Sequence, residues 1–469
     1  MRQATHLFLQ VSFGFFFQAR LSRGNLLTPY ERTINAVCNK PNSMERKPRI
    51  EIINLGDELL NGIRLNGHLT YLGEKFAERG LTIASASIIR DRPNDVRPEF
   101  CRAWDAADII ITTGGLGPTT DDLTREAIAE ALGLSLEYHS SVETSIRERF
   151  ERLGHPVTKN NLKQCYALSG AKILPNRQGT APGQYLTRDG KHLFMLPGPV
   201  TELHPMFEEQ VLPILETLGF ADPYQAYIQL RTVGVGESKL EMLLQPHFAQ
   251  YPGLGIGYCA HRGVVDLRLS IGTASMNRIQ LEDLAETCRD ELGEDFLCYG
   301  DLSLAQVVYD NLRSTDKSFS TAESCTGGLL SSSFTDVPGA SKFFAGGSVC
   351  YNNDAKIQTL DIPEEILIQH GAVSRECALA MVTGAAERFG TDYALSITGF
   401  AGPGGGSQDN PVGTIYIGYF SPSGIWSHKE VFAGSRESIK ERAVIAALDF
   451  MRRRLHSARV EDFMATELD

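Results

Sequence analysis

Short apolar runs that stop at glycine turns and lead into helix-like stretches recur along this chain, and they restrict it to an α/β architecture. Ile50–Leu55 ends at Gly56, Asp108–Thr113 runs into Gly114-Gly115, and Ser318–Ala322 runs into Glu323-Ser324-Cys325-Thr326-Gly327-Gly328. Apolar runs of this length bounded by turn signals read as buried strands. Leu81–Arg90 reads as a further strand, and Leu69–Arg79 (stopping at Gly80), Pro93–Ala107 and Leu123–Leu132 read as helices. Strands alternating with helices predict a parallel, doubly wound sheet, whose ligands sit beyond the carboxyl ends of the strands.

At 469 residues the chain has room for about three domains of roughly 150 residues each. The breaks place a doubly wound domain at 49–219, a small α+β connecting module at 221–300 and an α/β domain at 303–460. The middle module has strands at 227–233 and 264–271 and helices at 237–244 and 277–291, with no GxxG loop and no basic face. The net charge is −12, which argues against nucleic acid as a partner, since phosphate neutralisation needs a basic surface. No apolar run approaches the roughly 18–20 residues of a membrane helix. Nine scattered cysteines without a CxxC pair argue against a disulfide framework or structural zinc and favour a reducing cytoplasm. Residues 1–43 differ from the rest, with five basic residues against one acidic. They read as a disordered extension or as upstream sequence ahead of a true start at Met44; a transit peptide is the other reading.

In the first block the turn after Thr113 holds Gly114, Gly115, Gly117, Thr119, Asp121 and Asp122. Glycines let backbone N–H groups approach phosphate oxygens. Asp121 and Asp122 are hard ligands suited to a divalent cation on a diphosphate, or else caps of the helix that follows. Glu202, in Leu196–Glu202, either joins that site or caps the helix 201–210.

In the third block the 323–328 turn feeds a helix at Leu329, again an arrangement that favours an anion. Cys325 reads as a nucleophile or as a small residue packed under a phosphate; a cysteine nucleophile needs a histidine partner, and none stands in a motif here. Downstream lie Ser341, Tyr351 and Lys356. A desolvated lysine can be neutral and take the serine proton, while tyrosine relays it or stabilises an oxyanion; equally, these are common residues, with Ser341 a cap and Lys356 on the surface. A long glycine–proline loop, 399–413, has the length of a substrate lid. Arg436 opens the last helix, 439–453, and either pairs with a phosphate or solvates the helix entry.

Seven ordered motifs, GDELLNG (56–62), TGGLGPTTDDLT (113–124), GTAPG (179–183), LPGPVTEL (196–203), AESCTGG (322–328), GAVS (371–374) and GFAGPGGG (399–406), closely resemble the bacterial CinA family from about Arg49 to Leu455. The resemblance implies an N-terminal domain like the molybdopterin-binding MoaB/Mog proteins, associated with ADP-ribose pyrophosphatase activity. It implies a C-terminal nicotinamide-nucleotide amidase, converting nicotinamide mononucleotide to nicotinic acid mononucleotide and ammonia. In that domain it assigns Ser341 as nucleophile, Lys356 as base and Tyr351 as helper; were ammonia release to survive Ser341→Ala, Ser324 and Cys325 would be next in line as nucleophile. Glu323, Ser324, Cys325, Thr326, Gly327, Gly328, Gly402, Gly404, Gly405 and Arg436 would hold the nucleotide. A divalent cation would serve the N-terminal domain through Asp121 and Asp122, with Gly114, Gly115, Gly117 and Thr119 on the nucleotide; no cofactor is expected for the amidase, and the protein would be a homodimer. One departure stands out: the family commonly has Asp/Asn-Thr-Asn where this chain has Asn66-Gly67-His68, which places the amidase above the pyrophosphatase. The competing reading is a pterin- or nucleotide-binding regulator without catalysis.

Overall fold

A computed structural model describes residues 47–120, 122–221, 226–261, 263–313 and 317–466, with side chains as far as residue 456. The readings made for residues 1–43 and for Asp121 lie outside the described residues.

The first sheet is built from β1 (Ile50–Leu55), β2 (Ile83–Ile89), β3 (Ile109–Thr113), β6 (Lys172–Leu174), β7 (Gly183–Arg188) and β8 (Lys191–Leu196), while β4 (Leu136–Tyr138) and β5 (Tyr166–Leu168) pair separately. The strand order is β2-β1-β3-β8-β7-β6. The first four strands are parallel, as the sequence pattern predicts. β1 and β3 are buried along their whole length, because helices cover both faces of the sheet. Side chains on a strand alternate between faces, so Ile50 and Ile52 join Leu72, Phe76 and Phe207 in one core, while Ile53 and Leu55 join Phe100 and Ile128 in the other. The all-parallel expectation fails at the edge: β7 runs antiparallel to β8, and β6 to β7. Asp189-Gly190, between β7 and β8, turns the chain back on itself at the first of these pairings. Both residues have positive φ, +54° and +73°, the geometry of a tight hairpin turn.

The middle sheet, β9 (Ile228–Val233), β10 (Gly255–His261), β11 (Val264–Ser270) and β12 (Phe296–Tyr299), is wholly antiparallel in the order β10-β11-β9-β12. Its inward residues, among them Leu230 and Leu267, share a core with Leu240 and Leu281 of helices Glu237–Phe248 and Arg278–Leu292.

The third sheet comprises β13 (Phe319–Glu323), β14 (Phe344–Val349), β15 (Tyr393–Gly399), β16 (Thr414–Ser421) and β17 (Gly424–Val431), ordered β14-β13-β15-β16-β17. β14, β13 and β15 are parallel, and β16 and β17 return antiparallel. Helix Arg375–Phe389 packs on one face. The C-terminal helix, Arg436–Thr466, packs on the other. It also reaches the middle module: Arg453 Nη2 donates to Asp295 Oδ1 at 2.8 Å and Arg452 Nη2 to the Glu294 carbonyl at 2.5 Å. No helix among the described residues is long and apolar enough to cross a membrane.

Helix Arg375–Phe389 sits so close to the chain at Leu360 that a Cβ on Gly384 would lie 2.2 Å from the Leu360 carbonyl oxygen. Glycine inside a helix ordinarily costs about 1 kcal/mol relative to alanine. Here the sign reverses: Gly384→Ala is expected to destabilise the protein by about 1–3 kcal/mol, read as a lower urea midpoint. A raised midpoint would contradict this packing.

Candidate active site

The N-terminal glycine turn is shaped by its own neighbours. Gly114 and Gly115 both have positive φ, and a Cβ on Gly115 would lie 1.8 Å from Thr124 Oγ1. A Cβ on Gly117 would meet the Asp122 carboxylate at 2.4 Å. Asp122 Oδ2 accepts from the Thr119 N–H at 2.9 Å and also from the Thr119 hydroxyl, and Lys163 Nζ donates to the Thr119 and Asp122 carbonyls. Asp122 therefore caps its own loop. Among the described residues no group of three or more His, Cys, Asp or Glu side chains could hold a metal ion; Asp121, the other expected ligand, lies outside the described residues. The Glu202 carboxylate accepts from Asn176 Nδ2 at 2.6 Å. The departure at Asn66-Gly67-His68 is also absorbed structurally. Asn66 Oδ1 caps helix Gly67–Ala77, and His68 Nε2 bonds the Gly198 carbonyl at 2.7 Å, with burial lowering the pKa of the ring.

In the third sheet, β13 delivers residues 323–328 to the carboxyl ends of the parallel strands. Glu323 is fully buried, and its carboxylate accepts from the N–H groups of Gly328 (3.0 Å), Leu330 (3.0 Å) and Ser331 (2.8 Å) and from the Ser331 hydroxyl (2.6 Å). This corrects the expectation that a substrate phosphate sits on the start of helix Leu329–Thr335. The donors of that helix end are already satisfied by the chain's own carboxylate, which also offsets the cost of burying a charge. Glu323 is thus an anchor of the turn and not a substrate ligand.

Ser324, only 8% exposed, follows. Its N–H bonds the Ile397 carbonyl at 2.9 Å, tying the turn to β15, and its Oγ accepts from Lys356 Nζ at 3.0 Å. Lys356 arrives from the opposite side. β14 ends at Val349, Asn352 Oδ1 caps helix Asn353–Leu360 through the Ala355 N–H at 2.7 Å, and Lys356 and Leu360, one turn apart, face inward. The lysine is 1% exposed, and its other hydrogen bond goes to the Cys350 carbonyl at 2.8 Å. No carboxylate pairs with it among the described residues. Burial lowers its pKa, and the charged groups that would raise it are the thiolates of Cys377, Cys350 and Cys325. Burial pushes those thiols up, Cys377 to about 11 and Cys325 to about 12. The thiols stay protonated, so among the described residues no anion faces the ammonium, and the balance shifts toward the neutral amine. A buried, protonated thiol without a histidine partner is a poor nucleophile, and Cys325 packs in the apolar core of the domain.

Ser341 is not brought to this pair. It stands exposed on the short 3₁₀ turn Ala340–Lys342, just ahead of β14. The parallel register pairs Phe344 with Phe319 and Val349 with Glu323, so Ser341 lies where these strands begin and Ser324 and Lys356 lie where they end. The six residues of β14 separate the two ends by roughly 20 Å. Tyr351 does reach the correct end, but it is 60% exposed, and its hydroxyl accepts from Arg436 Nη2 at 2.6 Å. Arg436 Nη1 donates to the Gly402 carbonyl at 2.6 Å, so Arg436 straps the glycine-rich loop to the end of β14. Within that loop Gly405 approaches the Phe400 ring, and Gly404 meets nothing. Thr326 is buried with no partner for Oγ1 among the described residues, and Gly327 and Gly328 take positive φ.

Two family models match the chain, one described as "CinA C-terminal domain" over residues 301–455 and one as "Probable molybdopterin binding domain" over residues 51–217. Fold and matches together define an α/β protein joining a MoaB/Mog-like domain to a CinA C-terminal domain. A CinA-like protein of Dictyoglomus thermophilum is 40% identical over 410 residues, 87% of this chain and 99% of that protein. One of Kosmotoga olearia is 39% identical over 412 residues, 87% of this chain and 99% of that protein. The chain belongs to the CinA family. Among solved structures, a CinA superfamily protein from Klebsiella pneumoniae 700603 is 32% identical, covering 33% of this chain and 96% of that one, with a TM-score of 0.32.

Removing the Glu323 anchor tests how the site is built. Glu323→Ala leaves three N–H groups and a hydroxyl without their acceptor, and a loss of at least about 2 kcal/mol of stability is expected in urea denaturation. Wild-type stability in that variant would contradict the anchor role.

Proposed function

We propose that the C-terminal domain is a serine–lysine amidohydrolase that hydrolyses the carboxamide of nicotinamide mononucleotide, yielding nicotinic acid mononucleotide and ammonia. The observation that carries this reading is Lys356 Nζ, buried without a counter-ion, 3.0 Å from Ser324 Oγ. The substrate follows from the resemblance of the C-terminal motifs to the amidase domain of the family.

The mechanism uses this chain's own groups. Neutral Lys356 keeps one N–H on the Cys350 carbonyl and turns its lone pair to the Ser324 hydroxyl. Ser324 Oγ attacks the carboxamide carbon, and its proton passes to Lys356 Nζ. The backbone N–H groups of Cys325 and Thr326 have no backbone acceptor among the described residues, that of Cys325 facing only its own thiol, and are the donors available to the oxyanion. The C–N bond then breaks as Lys356 returns the proton to the departing nitrogen, releasing ammonia and leaving an ester on Ser324. Water attacks that ester, giving a proton to Lys356, and Ser324 Oγ leaves with it. Tyr351, Arg436 and Gly402 form the rim over the pair, and Ser341 takes no part. No step is assigned to the N-terminal domain, where Asp122 caps its loop.

Ser324→Ala and Lys356→Met are each expected to lower ammonia release by at least about 10³-fold, while Ser341→Ala retains it within about threefold of wild type. Loss of activity in Ser341→Ala with retention in Ser324→Ala would overturn the assignment. The pH profile supplies an independent check. The active base is the neutral amine, and burial lowers the Lys356 pKa from the ordinary lysine value of about 10.4. The kcat/KM should therefore rise with pH through that lowered pKa and reach its plateau below the ordinary lysine range. An acid limb at the ordinary lysine value would contradict a desolvated base.

A further inference from the structure

We propose that Lys440 is the cation that recognises the phosphate of the substrate, making the site selective for a phosphorylated nucleoside over the free nucleoside. The inference rests on the amidase reading and extends it to a residue that none of the sequence motifs contains. Lys440 lies one helical turn after Arg436 on the C-terminal helix, so both side chains leave the same face. Its ammonium stands over the catalytic turn: a Cβ on Gly327 would lie 4.0 Å from Lys440 Nζ. Gly327 has φ +66° and no side chain, so nothing from that residue stands between the turn and the amine.

The two cations differ in what they already hold. Arg436 Nη1 and Nη2 are engaged by the Gly402 carbonyl and the Tyr351 hydroxyl. Lys440, half-buried, has no hydrogen-bond or ion-pair partner among the described residues. A partly desolvated ammonium without a carboxylate gains most from a dianion such as a phosphate monoester. The distance is also suitable. The Gly327 N–H bonds the Ser324 carbonyl at 3.2 Å, closing a turn whose end Cα atoms lie within about 7 Å. Lys440 thus stands one turn away from the nucleophile, on a scale suited to a ribose between the reacting carboxamide and the phosphate. Thr326 Oγ1, buried and unpartnered in the same turn, adds a hydroxyl beside this position. The helix-end donors do not compete for the phosphate, because Glu323 holds them.

The test pairs binding with turnover on the full chain. Calorimetric binding of nicotinamide mononucleotide is expected to weaken at least about tenfold in Lys440→Ala and to recover in Lys440→Arg. Binding of nicotinamide riboside, which lacks the phosphate, should be the same in all three proteins. In turnover the same change should appear as a raised KM for the mononucleotide with kcat held within about twofold. Equal mononucleotide binding by wild type and Lys440→Ala, no binding by wild type, or a parallel loss for the riboside would each overturn the inference. Phosphate-dependent binding without ammonia release would instead retain Lys440 and remove the amidase reading, so the two failures are distinguishable.

Discussion

An ammonium is costly to bury, and Lys356 is buried with a hydroxyl, a carbonyl and three protonated thiols for company. Much of the third sheet's local construction serves this one arrangement. β14 and the Asn352 cap carry the lysine in from one side, and β13 with the Glu323 anchor holds Ser324 from the other. No anion pairs with Lys356 among the described residues and burial lowers its pKa, which shifts the balance toward the uncharged amine; an uncharged amine beside a serine hydroxyl can act as a general base. The cost of burial is offset elsewhere, by the apolar packing around helix Arg375–Phe389 and by the hydrogen bonds that close the turn.

Glu323 explains how a buried serine can be held rigidly on a loop. Its carboxylate gathers the start of the following helix from inside the protein, so the turn is tied at residues 328–331, while the Ser324 N–H ties it to β15. That same carboxylate removes the helix end from service as an anion site. Substrate charge must then be met by side chains arriving from elsewhere, and the C-terminal helix supplies them: Arg436 as a strap between the Gly402 loop and Tyr351, and Lys440 as the free cation above Gly327.

The sequence makes the strands, the glycine turns and most helices legible, since these depend on local patterns: β1, β3, β8 and β13 all lie where apolar runs meet turns. The antiparallel edge of the first sheet was signalled by Asp189-Gly190 but depends on a pairing that periodicity alone does not report. The site was legible as motifs and not as partnerships. Ser341 stands near Lys356 in sequence, yet the intervening residues are extended and carry them to opposite ends of a strand. Ser324 is 32 positions from Lys356 and meets it only through the parallel register of β13 and β14. Likewise, the carboxylates of Asp122 and Glu323 satisfy backbone N–H groups, a role that tertiary geometry reveals and spacing does not.

With Ser324 as the proposed nucleophile, its Oγ becomes covalently attached to the acyl group during turnover. Peptide mass spectrometry on protein acid-quenched during steady-state reaction with nicotinamide mononucleotide tests it most directly. A nicotinate mononucleotide ester is expected on the peptide containing Ser324; an ester found on Ser341 or a thioester on Cys325 would overturn the assignment of Ser324 as nucleophile.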